Sequence, residues 1–188
     1  MTSEGDAMTV DWNRELVDQL GWHWDNQARP RLEGLTDEEY LWEPVEGAWS
    51  VRRREDGSLF PDWEWPPPEP VPFTTIAWRM CHLIGPVFGA RVAAYFPPNP
   101  EIDFEAYMDS VDWPGTADEA LALLDESHRR WRDGVAGLGP DGLAQPCGKQ
   151  SGPYADHPMA ALVLHINREA IHHLAEIALL RDLYAARP

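Results

Sequence analysis

Apolar residues recur every three or four positions in four stretches of this chain, the period of helices that bury one face. In the first stretch Leu16, Leu20, Trp24 and Gln27 step along at that spacing, with Trp12 and Val17 alongside. Asp11 or Thr9 can cap its start, and Pro30 marks its end near Arg29. In the second, Thr74-Thr75 can cap a helix running to about Phe96, with Ile76, Met80, Leu83, Val87, Ala90 and Ala94 as its main stripe. Its only charges are Arg79 and Arg91, which predicts a central helix, and Pro86 predicts a kink just beyond His82. The third opens on Thr116-Ala117-Asp118-Glu119 and runs to about Val135, turning Ala120, Leu123, Leu124, Ser127, Trp131 and Val135 inward. His128, beside Arg129 and Arg130, is expected on its solvent face. The fourth follows Pro158 with no further Gly or Pro through Tyr184 and is rich in Ala, Leu, Glu and Arg, so it reads as one long helix.

The connections are less regular. Thr36-Asp37-Glu38-Glu39 is a capping-box pattern opening a short helix through Trp42, stopped by Pro44. Residues 43–72 form a long loop, in which Trp49-Ser50-Val51-Arg52 can be briefly extended. Pro61, Pro66-Pro67-Pro68, Pro70 and Pro72 argue there against both helix and central strand. Its aromatics, Trp49, Phe60, Trp63 and Trp65, argue that it packs down onto the helices. Residues 101–115 and 141–155 read as loops, with a turn of helix expected near Asp141 to Ala144. No alternating run is strong enough to predict a sheet. The expectation is an all-α protein, an up-and-down four-helix bundle with a long first crossover loop, in one domain over residues 1–188 whose first eight residues are a flexible leader.

Composition narrows the functions open to such a bundle. A net charge of −17 argues against a nucleic-acid partner, which needs a basic face; the one dense basic run, Arg52-Arg53-Arg54, is followed at once by Glu55-Asp56. No window approaches the ~18 apolar residues of a membrane span, and the acidic start, Met1 to Asp6, does not read as a signal peptide. With only Cys81 and Cys147, a disulfide framework is not expected, and a cytoplasmic location follows. Ten tryptophans serve either core packing or an aromatic-lined pocket.

Candidate chemistry lies on the last helix. With Leu162 at zero and ~100° per residue, Leu162, Ile166, Ala170, Ile177, Leu180 and Tyr184 fall within about 80°. His173 lies inside that stripe at about 20°, and Glu169 on its margin, one turn earlier. An imidazole and a carboxylate on a buried face are costly without partners. A metal ion satisfies both, and so does a metal-free polar cluster. The second long apolar helix contributes His82, and two nitrogen donors with one carboxylate leave an open position, as a catalytic divalent site does. His165 and His172 lie further off the stripe. His172 suits a supporting or pocket role, and Glu176 could orient a ligand. Arg79, one turn from His82, is a candidate anion contact, and Trp49 a candidate pocket wall. Cys81 points away from His82 and reads as a packed core thiol.

The segments Trp78-Arg79-Met80-Cys81-His82-Leu83 and Asn167 through Tyr184 resemble the two ligand-bearing helices of the DinB-like superfamily. Leu35 to Pro44 and Gly47 to Arg52 are similar to its first connection. The resemblance implies a DinB-type four-helix bundle with an unusual crossover and a metal held by three side chains. Members usually carry His on the second helix and His-x-x-x-His on the last; here the first of that pair is Glu169, so the implied ligands are His82, Glu169 and His173. A glutamate there resembles the mycothiol-dependent maleylpyruvate isomerase branch. Histidines favour zinc or nickel, and the carboxylate leaves manganese or iron open. The resemblance further implies a low-molecular-weight thiol co-substrate, an electrophilic small-molecule substrate, S-transfer or isomerisation, and a link to stress response. A metal-dependent hydrolase using water, and a non-catalytic bundle for binding or dimerisation, are the alternatives; a homodimer is compatible with all three.

Overall fold

A computed structural model of the chain describes residues 9–98 and 102–187. The leader expected over residues 1–8 lies outside them. The described residues are mostly helical. Helix α1, Trp12–His23, starts where the Asp11 carboxylate accepts from the Arg14 N–H, and continues through a π-helical turn, Trp24–Ala28, and a 3-10 turn, Arg29–Leu32. It therefore runs past Pro30: the proline sits near the start of the 3-10 turn, where its missing N–H costs little. Ala28, rather than the exposed Gln27, continues the buried face.

Thr36 caps the short α2, Asp37–Tyr40. The long connection then contains what its prolines argued against, a two-stranded antiparallel hairpin of β1, Val51–Arg53, and β2, Leu59–Pro61. Pro61 is tolerated because it is the last residue of a two-stranded ladder, opposite Val51. The expectation of an all-α chain without a sheet is corrected to that extent. Three-residue strands are too short to show alternation.

Thr75 caps α3, Ile76–His82, by accepting from the Trp78 N–H. The helical path then widens into a π-helical segment, Leu83–Gly89, containing Pro86, and resumes as α4, Ala90–Tyr95. This is the local break expected beyond His82; the proline has no N–H to donate, and the wider turn absorbs it. A short α5, Phe104–Ser110, precedes α6, Ala117–Ala136, which opens with a full Thr116/Glu119 capping box. After α7, Gly139–Ala144, and a 3-10 segment, Lys149–Tyr154, the chain enters α8, Met159–Ala185.

Helix α8 packs on α1, α3 and the π segment, and α6 packs on α1, α3, the π segment and α4. Their inward residues form one core cluster that includes Leu20, Trp24, Met80, Phe88, Leu124, Trp131, Ile166 and Ile177. Two glycines permit close approach. A side chain at Gly89 would strike the Tyr107 hydroxyl, and one at Gly134 would strike the Phe96 ring.

Two polar buried features were not anticipated. His128 is 3% exposed, stacked on Trp24 at 3.9 Å between ring centroids and edge-on to Phe88. The expected solvent-face position is thus corrected: its neighbours Arg129 and Arg130 are exposed, but it follows Leu124 by one turn on the inward face. Glu39 of α2 and Arg181 of α8 form a two-pronged ion pair at 2.7 and 3.1 Å, mostly removed from water.

Candidate metal centre

The fold brings α3 and α8 together at the positions expected to carry the donors. His82, Glu169 and His173 each present a ligand-capable atom, and these atoms all lie within 4.8 Å of one another. His173 Nε2 is 3.7 Å from Glu169 Oε2. The His82 and His173 rings meet edge to face, with centroids 4.6 Å apart. All three side chains are half-buried, so they are shielded yet reachable.

The second nitrogen of His173 is committed. Nδ1 lies 2.8 Å from Glu176 Oε2, which can only accept, so the proton sits on Nδ1 and the Nε2 lone pair is directed to the Glu169 side. Arg79 donates through Nη1 to the same Glu176 oxygen. This is the arrangement in which an outer carboxylate fixes the tautomer of a ligating histidine. Glu176, read in the sequence as a residue that could orient a ligand, lies in contact with His173. Arg79 serves it rather than standing free as an anion contact, although the Arg79 Nε is buried without a hydrogen-bond partner among the described residues.

His82 is held from the other side. Trp78, one turn earlier, stacks on it at 5.1 Å between centroids and 7° between planes. The indole N–H of Trp78 donates to the Asp62 carbonyl at 2.8 Å. The Asp62 carboxylate accepts from the Ser50 N–H at 2.8 Å, and the Asp62 N–H donates to the Ser50 carbonyl at 2.9 Å. Trp49 sits one ring further out, 6.0 Å from Trp78, and its carbonyl accepts from the Thr75 N–H at the start of α3. The long loop therefore acts as a brace: hairpin to Trp78, Trp78 to His82. Trp78 and Asp62 were missed in the sequence, although a tryptophan four residues before a histidine is a stacking signal on any helix.

Both histidines are kept neutral, the form that ligates metal. Burial pushes His82 down to about 4, with Glu169 opposing and Arg79 assisting. Burial, followed by His82, Arg79 and His172, pushes His173 down to about 3. The Arg79 guanidinium matches the Glu176 charge, so that carboxylate does not hold a second proton on the ring.

A metal fits this donor set on two observations. The Nδ1 atom of His82 is buried and has no hydrogen-bond partner among the described residues, leaving a ring nitrogen uncommitted. Two neutral imidazoles and one carboxylate converge where protein partners do not satisfy them all. A second cluster, His172, His173 and Glu176, shares one histidine with the first. Its His172 side chain is 63% exposed, 3.3 Å from Glu176. His165 lies on the other flank, its Nδ1 3.6 Å from Glu169 Oε1 and in contact with Arg168. Cys81 is fully buried beside Tyr40, and burial pushes its thiol up to about 12, so it is packing and not a nucleophile.

The space next to His82 is small, about 20 Å³, walled by Phe60, Asp62, Trp63 and Met108. Loop residues therefore lie against His82. A far larger cavity opens on the other side, lined by His165.

The fold and the converging donors define a helical protein with histidine and glutamate clusters that could hold a divalent metal. The family model of the DinB superfamily matches residues 61–177, more than half of the chain, and the chain belongs to that superfamily. No curated protein and no solved structure matches it. Among the described residues no helix is long and apolar enough to cross a membrane.

Proposed function

We propose that the chain is a metal-dependent enzyme using a low-molecular-weight thiol of the mycothiol type for S-transfer or isomerisation, built as an up-and-down four-helix bundle with His82, Glu169 and His173 as ligands. The observation that carries this reading is the orientation of the donors. His173 is fixed by Glu176, His82 by Trp78, and Glu169 faces His173 from one turn away. The preference for this triad over the cluster containing His172 rests on burial and on Arg79, which already neutralises Glu176.

A divalent ion held there, with zinc or nickel favoured over manganese or iron, would supply the Lewis acidity that lets a thiol ionise near neutral pH. The chain's own residues do the rest. Burial keeps both imidazoles unprotonated, Glu176 holds the His173 proton on Nδ1, and the aromatic loop limits water at His82. Cys81 cannot replace the external thiol.

The test is transfer of a thiol to a generic electrophile such as 1-chloro-2,4-dinitrobenzene by the metal-loaded chain. Turnover that requires both metal and added thiol, and falls at least about a hundredfold in His173→Ala, is expected. Turnover of an ester without thiol would instead support the hydrolase reading. Inactivity of the metal-loaded chain with mycothiol, bacillithiol and glutathione alike would favour a non-catalytic bundle.

A further inference from the structure

We propose that the large cavity beside the N-terminal half of α8 binds a small organic carboxylate, whose charge is met by Arg91 and Arg168 and whose apolar body lies against Phe104 and Leu162. The cavity measures about 650 Å³, within the range of small-molecule sites. It lies between α4, α5, the segment preceding α8, and the first turns of α8 itself.

The chain carries 32 acidic and 15 basic residues, yet among the described residues this wall holds two arginines and two histidines, His157 and His165, and no aspartate or glutamate. A basic enclosure in so acidic a chain attracts an anion against the overall field.

Arg91 forms no ion pair among the described residues, and its Nε is buried without a hydrogen-bond partner there. The Nε itself is closed off from the cavity, but Arg91 lines it, and the outer N–H groups of a guanidinium there can meet a carboxylate with two parallel hydrogen bonds. Arg168 adds a second guanidinium, with Nη2 2.7 Å from His165 Nδ1 and Nε 3.7 Å from Glu169 Oε1.

The walls exclude a bare inorganic ion as the best occupant. Phe104, Leu162 and Pro153 are apolar and would stay wet around it, whereas an acid with a hydrocarbon or aromatic body covers them. His165 also touches Glu169, whose other oxygen faces His173. An acid bound here lies one helical turn from the candidate ligands, and its assignment as the acidic end of the electrophilic substrate rests on the reading given above. Binding itself needs only the cavity.

Benzoate is the probe, titrated calorimetrically into the full chain with EDTA and, separately, with zinc. Saturable binding is expected under both conditions. Arg91→Gln should weaken it by about tenfold or more and Arg168→Gln by severalfold, and methyl benzoate should not bind measurably. Ala161→Trp, which fills the cavity from α8, should abolish binding while helix content by circular dichroism is kept; it covers the case in which Arg91→Gln does not fold. Absence of saturation, equal affinity for methyl benzoate, or unchanged affinity in both Arg91→Gln and Ala161→Trp overturns the proposal. Binding that vanishes with EDTA also overturns it, because the carboxylate would then sit on the metal. A chain that takes up no metal yet binds benzoate through Arg91 keeps this proposal and removes the metal reading.

Discussion

Among single residues, Glu176 and His128 carry the sharpest consequences. Glu176 does not belong to the candidate triad, yet it fixes the ring of His173 and is itself gripped by Arg79. Replacing it by alanine should leave the donors in place but unanchored. Metal affinity, measured by competition with a chromogenic chelator, should drop about 10–100-fold without loss of stoichiometry. An unchanged affinity would mean that the ring is held by packing alone. His128 is buried between Trp24 and Phe88, and burial pushes its pKa down to about 4. A histidine whose folded value is depressed opposes folding once the unfolded chain takes up protons. Stability should therefore fall as pH drops from ~6.5 to ~4 and level off below, with His128 contributing up to ~3 kcal/mol. In His128→Phe the acid loss should shrink by about that amount in denaturant titrations at pH 4 and 7. An identical pH profile in the variant would show that His128 is not the group responsible. Its inward position was legible from Leu124 and Trp131 at helical spacing, but the adjacent arginines masked it. The inward turn of His173 and the marginal place of Glu169 were legible because α8 is long and unbroken, so angular position survives from end to end.

At the level of elements, capping chemistry was the most readable part of the sequence. Asp11, Thr36, Thr75 and Thr116 each accept from a first-turn N–H as their residue type and position suggested. The hairpin was not readable, because Val51–Arg53 and Leu59–Pro61 are held by the register and by Asp62, and not by a residue pattern of their own. The Pro86 break was anticipated, but not its form as a π-helical segment that keeps α3 and α4 on one path. Long-range polar ties were invisible as well, since nothing local in Glu39 or Arg181 announces a partner over a hundred residues away. That pair joins α2 to the far end of α8, and Arg181 also donates to the carbonyls of Arg31 and Glu33. Arg181→Ala would leave the Glu39 carboxylate buried and unmatched, so a loss of about 3 kcal/mol in unfolding free energy is expected. A loss under ~1 kcal/mol by urea denaturation would place the pair among ordinary surface ion pairs.

For the whole molecule, the acidic balance and the distribution of its few cations work together. Arg52 is taken up by Glu43 and Asp62, and Arg54 lies over the Phe60 ring at 3.7 Å, so the one basic run in the sequence is spent on the chain itself. Arg91 and Arg168 line the cavity beside α8, and Arg129 and Arg130 line a smaller one between α4 and α6. Two regions of chemistry thus meet on one helix, the converging donors around His173 and the basic cavity around His165, with Glu169 between them. Whether His82, Glu169 and His173 hold one divalent ion across α3 and α8 is decided by elemental analysis of the full chain purified without added metal, beside His82→Ala, Glu169→Ala, His173→Ala and His172→Ala. About one equivalent in the parent chain and in His172→Ala, with near-complete loss in the other three, is the expected result. A full equivalent retained by His173→Ala, or metal lost only from His172→Ala, would contradict it.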